Sequence, residues 1–430
     1  MLIAFKVSNF KSFKEETIFS LLANHDKESL IDSNVFEAPF NLTLLKSGVI
    51  YGGNASGKTK FFEALQFMLQ FVSNSSKEGQ IDELIGVDPF RLSSTTEKEA
   101  SVFEIQFIHD GQLFRYGFEA DRSSIKEEWL FHRPKTKEVE LFYRTEQNFD
   151  IHTKFKVNDL IKNNRVRPNA LLLSVAANWN DSIAIQVLEW MRQVNIISGI
   201  GNEGYLGFSI AQLNQEENKQ NIISFLKSAD IGIEDVQLNP LHSTNLPKKV
   251  SNKIKDRVLN EEKEGKEALI DLSTFHKKYN DKNQAVDLTR FSMSTDESYG
   301  TQKYFSLSGP ILDTLQNGRI LFVDELANAL HPNLIESLVR LFNSEKHNPK
   351  NAQLVFTTHN TNLLSANLFR RDQIWFVDKD RYGASSLFSL ADFKSNTVRK
   401  TDNFEKNYLK GRYGGLPHIV DEFQVSTSNQ

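Results

Sequence analysis

Gly52-Gly53-Asn54-Ala55-Ser56-Gly57-Lys58-Thr59 fits the spacing G-x-x-x-x-G-K-[ST]. Glycines there let the backbone wrap an anion closely, so that amides from Gly52 to Gly57 can donate to phosphate oxygens. Lys58 would supply a point charge to the β- and γ-phosphates of ATP, and Thr59 a hydroxyl to Mg²⁺. The sequence Arg319-Ile-Leu-Phe-Val-Asp324-Glu325 is an apolar run ending in two carboxylates. Alone it reads as a strand closing in an acidic turn. Beside a phosphate loop, Asp324 becomes the Mg²⁺ ligand and Glu325 the general base that polarises water. Leu354-Val-Phe-Thr-Thr-His359 is a second apolar run, ending in a histidine. A lone His after a strand is usually structural, but one at a strand end beside the nucleotide can reach the γ-phosphate and the attacking water. Glu297-Ser298-Tyr299-Gly300-Thr301-Gln302 is a small-residue turn opening a helix, and a helix N-terminus favours anions. Its value is positional, since it shortly precedes the carboxylate strand.

These groups need elements to bring them together. Leu44–Tyr51 reads as a strand feeding the loop, and Thr59–Val72 as a helix with Phe62, Leu65, Met68, Leu69 and Val72 on one side. After Gly300 helix and strand signals alternate. Tyr304–Leu315 is a predicted helix, Arg319–Val323 a strand, Asn333–Phe342 a helix, and Gln353–Phe356 and Gln373–Val377 strands. Such alternation predicts a parallel sheet with helices on both faces. From Ala100 to about Arg144 short strands dominate, with a hairpin turn at Asp110-Gly111. From Val157 to Val236 the pattern is helical, with core helices over Ala170–Ala177, Ile183–Val194 and Asn221–Ser228. Val250–Leu269 predicts an amphipathic solvent-facing helix, too short for a long coiled coil. A second hairpin is predicted around Asn280-Asp-Lys-Asn, and the tail Ser426–Gln430 is expected to fray. The expected organisation is an ATPase N-lobe over 1–156, a helical insert over 157–269 and an ATPase C-lobe over 270–430.

Composition narrows the classes. The 33 phenylalanines among 430 residues predict an aromatic-rich core, and the absence of cysteine excludes disulfides and thiolate metal sites. A formal net charge of −4 does not point to nucleic acid. No apolar run is long enough to span a bilayer, and Met1-Leu-Ile-Ala-Phe-Lys-Val reads as a first strand rather than a signal peptide. A cytoplasmic setting is expected.

With its four motifs in this order, the chain resembles the ABC ATPases that include SMC proteins, RecF and the OLD-type ATPases. Asn9-Phe10-Lys11-Ser12-Phe13 matches the opening segment of that clade, and the resemblance implies a nucleotide contact for Lys11. Within the clade the chain is most similar to the bacterial RloA/AbiL-type defence ATPases, relatives of AriA of the PARIS system. The likeness extends through Arg370–Lys379 and Tyr408–Pro417. It implies an α/β ABC-type head with a parallel core sheet, an antiparallel β subdomain and an inserted helical lobe. It implies that Ser298 and Gly300 close over the γ-phosphate bound by a second copy, giving an ATP-sandwich homodimer or higher homo-oligomer. It further implies an effector partner, such as a TOPRIM-like nuclease, in anti-phage defence. Two other readings use the same residues: a nucleotide-gated scaffold with negligible hydrolysis, and an SMC/RecF-like repair ATPase. The chain departs from the pattern at Ala327, where an acidic residue is expected. Asp88-Pro89-Phe90-Arg91 stands where the coupling loop would carry a Gln.

Overall fold

Strands buried on both faces must be largely apolar, and Ser47–Gly52, Ile320–Asp324, Gln353–Thr357 and Ile374–Lys379 are. In the computed structural model, which describes residues 1–24, 30–77, 83–201, 203–240, 270–393 and 402–416, these four strands form the centre of a six-stranded sheet. Its order is Val194–Ser198, Ile320–Asp324, Gln353–Thr357, Ser47–Gly52, Ile374–Lys379 and Ser385–Ser389, and only the last is antiparallel. Val323 stands opposite Phe356, Thr357 opposite Ile50, and Val377 opposite Gly52. The register therefore delivers the carboxyl ends of these strands to one edge, where open α/β sheets bind ligands.

Alternation along each strand divides the core in two. Ile50, Phe322, Val355 and Val377 face the helix Lys58–Asn74, which buries Phe61, Phe62, Leu65, Met68 and Val72. Val49, Tyr51, Leu321, Val323, Leu354 and Phe356 face the helices Tyr299–Asn317 and Pro332–Asn343. On the far side of the loop helix lies a seven-stranded antiparallel sheet, in the order 148–151, 139–145, 125–133, 112–120, 101–109, 2–8, 17–20. Asp110 (φ 47°) and Gly111 (φ 72°) form the predicted hairpin turn, where both positions need positive φ. The aromatic core is real. The Phe61 ring lies within 6 Å of Phe5, Phe13 and Phe19, and Phe62 meets Phe322 edge-on.

The α/β class, the parallel sheet and the antiparallel sheet follow the sequence reading. The wholly helical reading of 157–236 needs correction. Helices do form over Leu172–Asn178, Ser182–Met191, Glu203–Gln212 and Glu216–Ser228. Between them, however, Val194–Ser198 pairs in parallel with the carboxylate strand, and Ile233–Pro240 pairs with Ile270–Tyr279. Pairing with a buried neighbour outweighs local pattern here. The helix predicted over Val250–Leu269 and the tail Ser426–Gln430 lie outside the described residues.

The helix Tyr299–Asn317 contains Pro310, which has no N–H to give the Ser306 carbonyl. Ser209 Oγ donates to that carbonyl instead at 2.6 Å and accepts from Gly309 N at 3.1 Å. A Cβ on Gly309 would stand 2.5 Å from Ser209 Oγ, so the helix Glu203–Gln212 is pinned at close range to the middle of the longer helix.

Candidate nucleotide site

The strand Ser47–Gly52 is fully buried and turns at its end into the loop Gly53–Gly57. Gly57 takes φ +120°, and a Cβ there would meet Ser385 Oγ at 2.5 Å and Ser12 Oγ at 2.9 Å. A Cβ on Gly52 would meet Ser56 Oγ and Val377 O, both at 2.6 Å. Only glycine fits these close approaches. Ser385 Oγ donates to Ser56 O at 2.5 Å and Ser385 N to Ser12 O at 2.7 Å, so the edge hairpin clamps both the loop and the Asn9–Phe13 segment.

Distant regions of the chain converge here. Thr59 Oγ1 donates to Asp324 Oδ2 at 2.7 Å. Thr357 Oγ1 donates to Asp324 Oδ1 at 2.7 Å and accepts from Glu325 N at 2.7 Å. One hydroxyl thus holds both members of the acidic pair. Glu325 has φ 57°, a left-handed conformation rare for a side-chain-bearing residue, and such strain persists only where surroundings impose it. Gly199 belongs to those surroundings. Its N–H donates to Asp324 O at 2.5 Å, and a Cβ on it would collide with Glu325 O. His359 Nε2 is 3.0 Å from Glu325 Oε1 and 3.1 Å from Lys58 Nζ. Lys58 Nζ lies 3.9 Å from Glu325 Oε1 and donates to the Gly52 and Gly53 carbonyls at 3.0 and 3.1 Å.

Burial and charge oppose each other within this cluster. Burial pulls the Lys58 ammonium down, and the Glu325 and Asp324 charges oppose that; the net shift is downward. Burial alone would raise the Glu325 carboxyl. The His359 hydrogen bond and the Lys58 and Lys303 charges outweigh burial and hold it below the ordinary carboxylate range, so Glu325 is anionic at neutral pH. The cavity beside these groups has a volume of about 750 Å³ and is lined by Lys11, Ser12, Asn54–Lys60, Asp88–Leu92, Glu325, His359, Lys379 and Gly383. That suits a nucleotide. Ser12 Oγ and Ser56 Oγ are buried there without hydrogen-bond partners among the described residues. For a metal ion, Thr59 and Asp324 offer two hard oxygen donors, the type that suits Mg²⁺, and its remaining ligands would come from phosphate and water. Among the described residues no cluster of three or more His, Asp or Glu competes for a cation.

Residues 49–365 match the family described as "AAA domain, putative AbiEii toxin, Type IV TA system". The chain belongs to that family. The matched span of this AAA-domain protein contains the phosphate loop, Ser298, the Asp324–Glu325 pair and His359, and excludes Lys11 and everything after Ser365. No curated protein matches the chain in sequence. Among solved structures it is similar to the SMC head domain from Thermotoga maritima, with 12% identity, 90% of this chain and 98% of that chain covered, and a TM-score of 0.42. It is also similar to an Smc head domain with an extended coiled coil bound to the C-terminal domain of ScpA, derived from Pyrococcus furiosus, with 12% identity, 90% and 96% coverage and a TM-score of 0.36.

Of the sequence-predicted residues, Lys11 lines the cavity and forms an ion pair with Glu63. Ser298 and Gly300 lie away from it. Ser298 caps its own helix, accepting from Thr301 N at 3.1 Å, and a Cβ on Gly300 would stand 3.0 Å from Ala329 O. Sequence reasoning missed Thr357, Ser385 and Gly199. Thr357 was visible as a polar residue ending an apolar run. Gly199 gave no signal, because its role depends on a strand read as helix.

Proposed function

We propose that this protein binds ATP with Mg²⁺ and hydrolyses it as an ABC-type ATPase. The observation that carries the reading is that Lys58, Thr59, Glu325 and His359, drawn from positions as far as 301 residues apart, line one cavity of nucleotide size, with Asp324 accepting a hydrogen bond from Thr59. In the proposed reaction Lys58 offsets charge on the β- and γ-phosphates. Glu325 accepts a proton from water as its oxygen bonds to the γ-phosphorus, and the bond to the bridging oxygen breaks, leaving ADP and phosphate. His359, already 3.0 Å from Glu325, orients that carboxylate and the water. Thr59 and Asp324 would hold Mg²⁺, which would supply charge neutralisation along the triphosphate.

Beyond the chemistry, we assign the protein to the RloA/AbiL-type defence ATPases, acting with an effector such as a nuclease. The family's description, with its toxin–antitoxin context, supports a defence setting. Among the described residues no helix is long and apolar enough to cross a membrane. The test pairs Lys58→Ala with Glu325→Gln. The first should weaken ATP binding at least ~100-fold. The second should retain ATP while turnover falls by ~10²–10⁴, the usual worth of a general base. Parent-rate hydrolysis by both variants would remove the assignment.

A further inference from the structure

A small antiparallel sheet, in the order Ile233–Pro240, Ile270–Tyr279 and Ala285–Ser292, leads directly into the Ser298 turn. None of its described residues lines the cavity beside the phosphate loop. Its inner face is anchored, since Ile233, Val236 and Leu272 are buried in the core that also takes Leu226 and Tyr304. Glu297 joins this sheet to the helix Tyr299–Asn317. Its side chain is 8% exposed, and its carboxylate faces His276 Nε2 at 2.6 Å and accepts from Thr274 Oγ1, both on the middle strand. An imidazole facing an acceptor-only carboxylate presents Nε2–H. In the other direction, Glu297 O accepts from Gln302 Nε2 at 3.1 Å, in the first turn of the helix that Ser298 caps.

The connector between sheet and turn is short and tied. Asp296 Oδ2 accepts from Ser292 N at 2.9 Å, and Asp296 N donates to Ser292 O at 3.0 Å. A buried carboxylate must keep its donors, so Glu297 follows the strand that supplies them. That strand also reaches the surface: the His276 ring lies 4.8 Å from that of Phe291, which is 37% exposed. We propose that Glu297, latched by His276 and Thr274, sets the position of the Ser298 turn, so that the three-stranded sheet controls how the turn meets the nucleotide of a second copy. The three are positioning residues and act through Ser298. This rests on the reading of the protein as an ABC-type ATPase whose Ser298 turn meets a partner's triphosphate.

The test uses the Glu325→Gln protein with ATP and Mg²⁺, followed by sedimentation. His276→Ala should raise the dimer dissociation constant ~10-fold, the scale of one hydrogen bond to a charged group, while ATP affinity of the monomer stays within about twofold. Thr274→Val keeps the side-chain shape, removes the other donor and should weaken the dimer in the same direction. His276→Gln, whose amide can donate in place of Nε2–H, should recover most of the loss. Glu297→Gln combined with His276→Ala should weaken the dimer less than the product of the two single effects, because both break one contact. Parent-like dimers in both His276→Ala and Thr274→Val overturn the proposal. So does a loss of monomer ATP affinity matching the loss of dimer, or effects of His276→Ala and Glu297→Gln that multiply. If the Glu325→Gln protein binds ATP yet stays monomeric, the reading of the Ser298 turn fails first and takes this inference with it; if it binds no ATP, the ATPase reading itself fails.

Discussion

At the residue scale the site is held by close backbone approaches. The Gly199 amide meets Asp324 O at 2.5 Å, and a Cβ at Gly199 would collide with Glu325 O and sit 2.6 Å from Asp324 O. The obstacle is backbone and cannot swing aside as a long side chain would. Gly199→Ala must therefore push the acidic turn away from the cavity or pry a pair of hydrogen-bonded strands apart. Turnover should fall at least ~10-fold through misplacement of the base, with a stability cost of about 1–3 kcal/mol as for other overpacked positions. Gly86→Ala is the control, since a Cβ there meets nothing within 4 Å. An ATPase assay and a urea melt on both variants decide the matter, and a Gly199→Ala protein with parent turnover would show that the turn is not held in this way.

At the scale of elements, a buried ion pair inside the antiparallel sheet also anchors that sheet to a helix. Glu128 and Arg144 are both fully buried and lie 3.3 Å apart. Burial pushes the Glu128 carboxyl up, and Arg144, the Leu172 and Leu173 amides and the Tyr116 hydroxyl draw it back down; the net shift is upward. The carboxylate thus stitches strands 112–120, 125–133 and 139–145 to the start of the helix Leu172–Asn178. Glu128→Ala leaves the guanidinium without its counter-charge in the core and should cost about 3–5 kcal/mol by denaturant titration; a loss under ~1 kcal/mol would mean that Arg144 is satisfied by the carbonyls of Glu146, Arg167, Pro168 and Ala170. Nothing in the local pattern around Glu128 announces this pair, because its partners are distant in sequence. The phosphate loop and carboxylate strand were legible for the opposite reason: their chemistry demands fixed local spacing. The strand Val194–Ser198 lies between. Val-Asn-Ile-Ile-Ser has β-forming residues, yet it follows a helical run without a turn signal, and only the buried edge of the carboxylate strand makes it a strand.

At the scale of the whole molecule, the Ser298 turn and the cavity of one chain do not meet. Ser298 is exposed at the start of a 19-residue helix, its hydroxyl turned back on Thr301 N, and it is not among the residues lining the cavity. An anion at that helix start would meet free amides and the positive end of the helix dipole. Tyr299 and Ile200, 49% and 60% exposed, add apolar surface beside it. In a head-to-tail pair each Ser298 turn would face the partner's triphosphate, and ATP itself would complete the interface. Association should then depend on nucleotide: Glu325→Gln with ATP and Mg²⁺ should sediment as a dimer at concentrations where the ATP-free protein is a monomer. Chelation of the metal should reverse this. Ser298→Arg, placing a bulky cation at the helix start, should weaken the ATP-dependent dimer at least ~10-fold, a loss of about 1.4 kcal/mol, while leaving ATP affinity of the monomer unchanged, because the turn does not touch its own cavity. Sedimentation and an equilibrium nucleotide-binding titration on the same samples separate the two effects. A Ser298→Arg protein that dimerises like its parent would place the contact surface elsewhere, and one that loses monomer ATP affinity would mean that the turn serves its own chain's nucleotide.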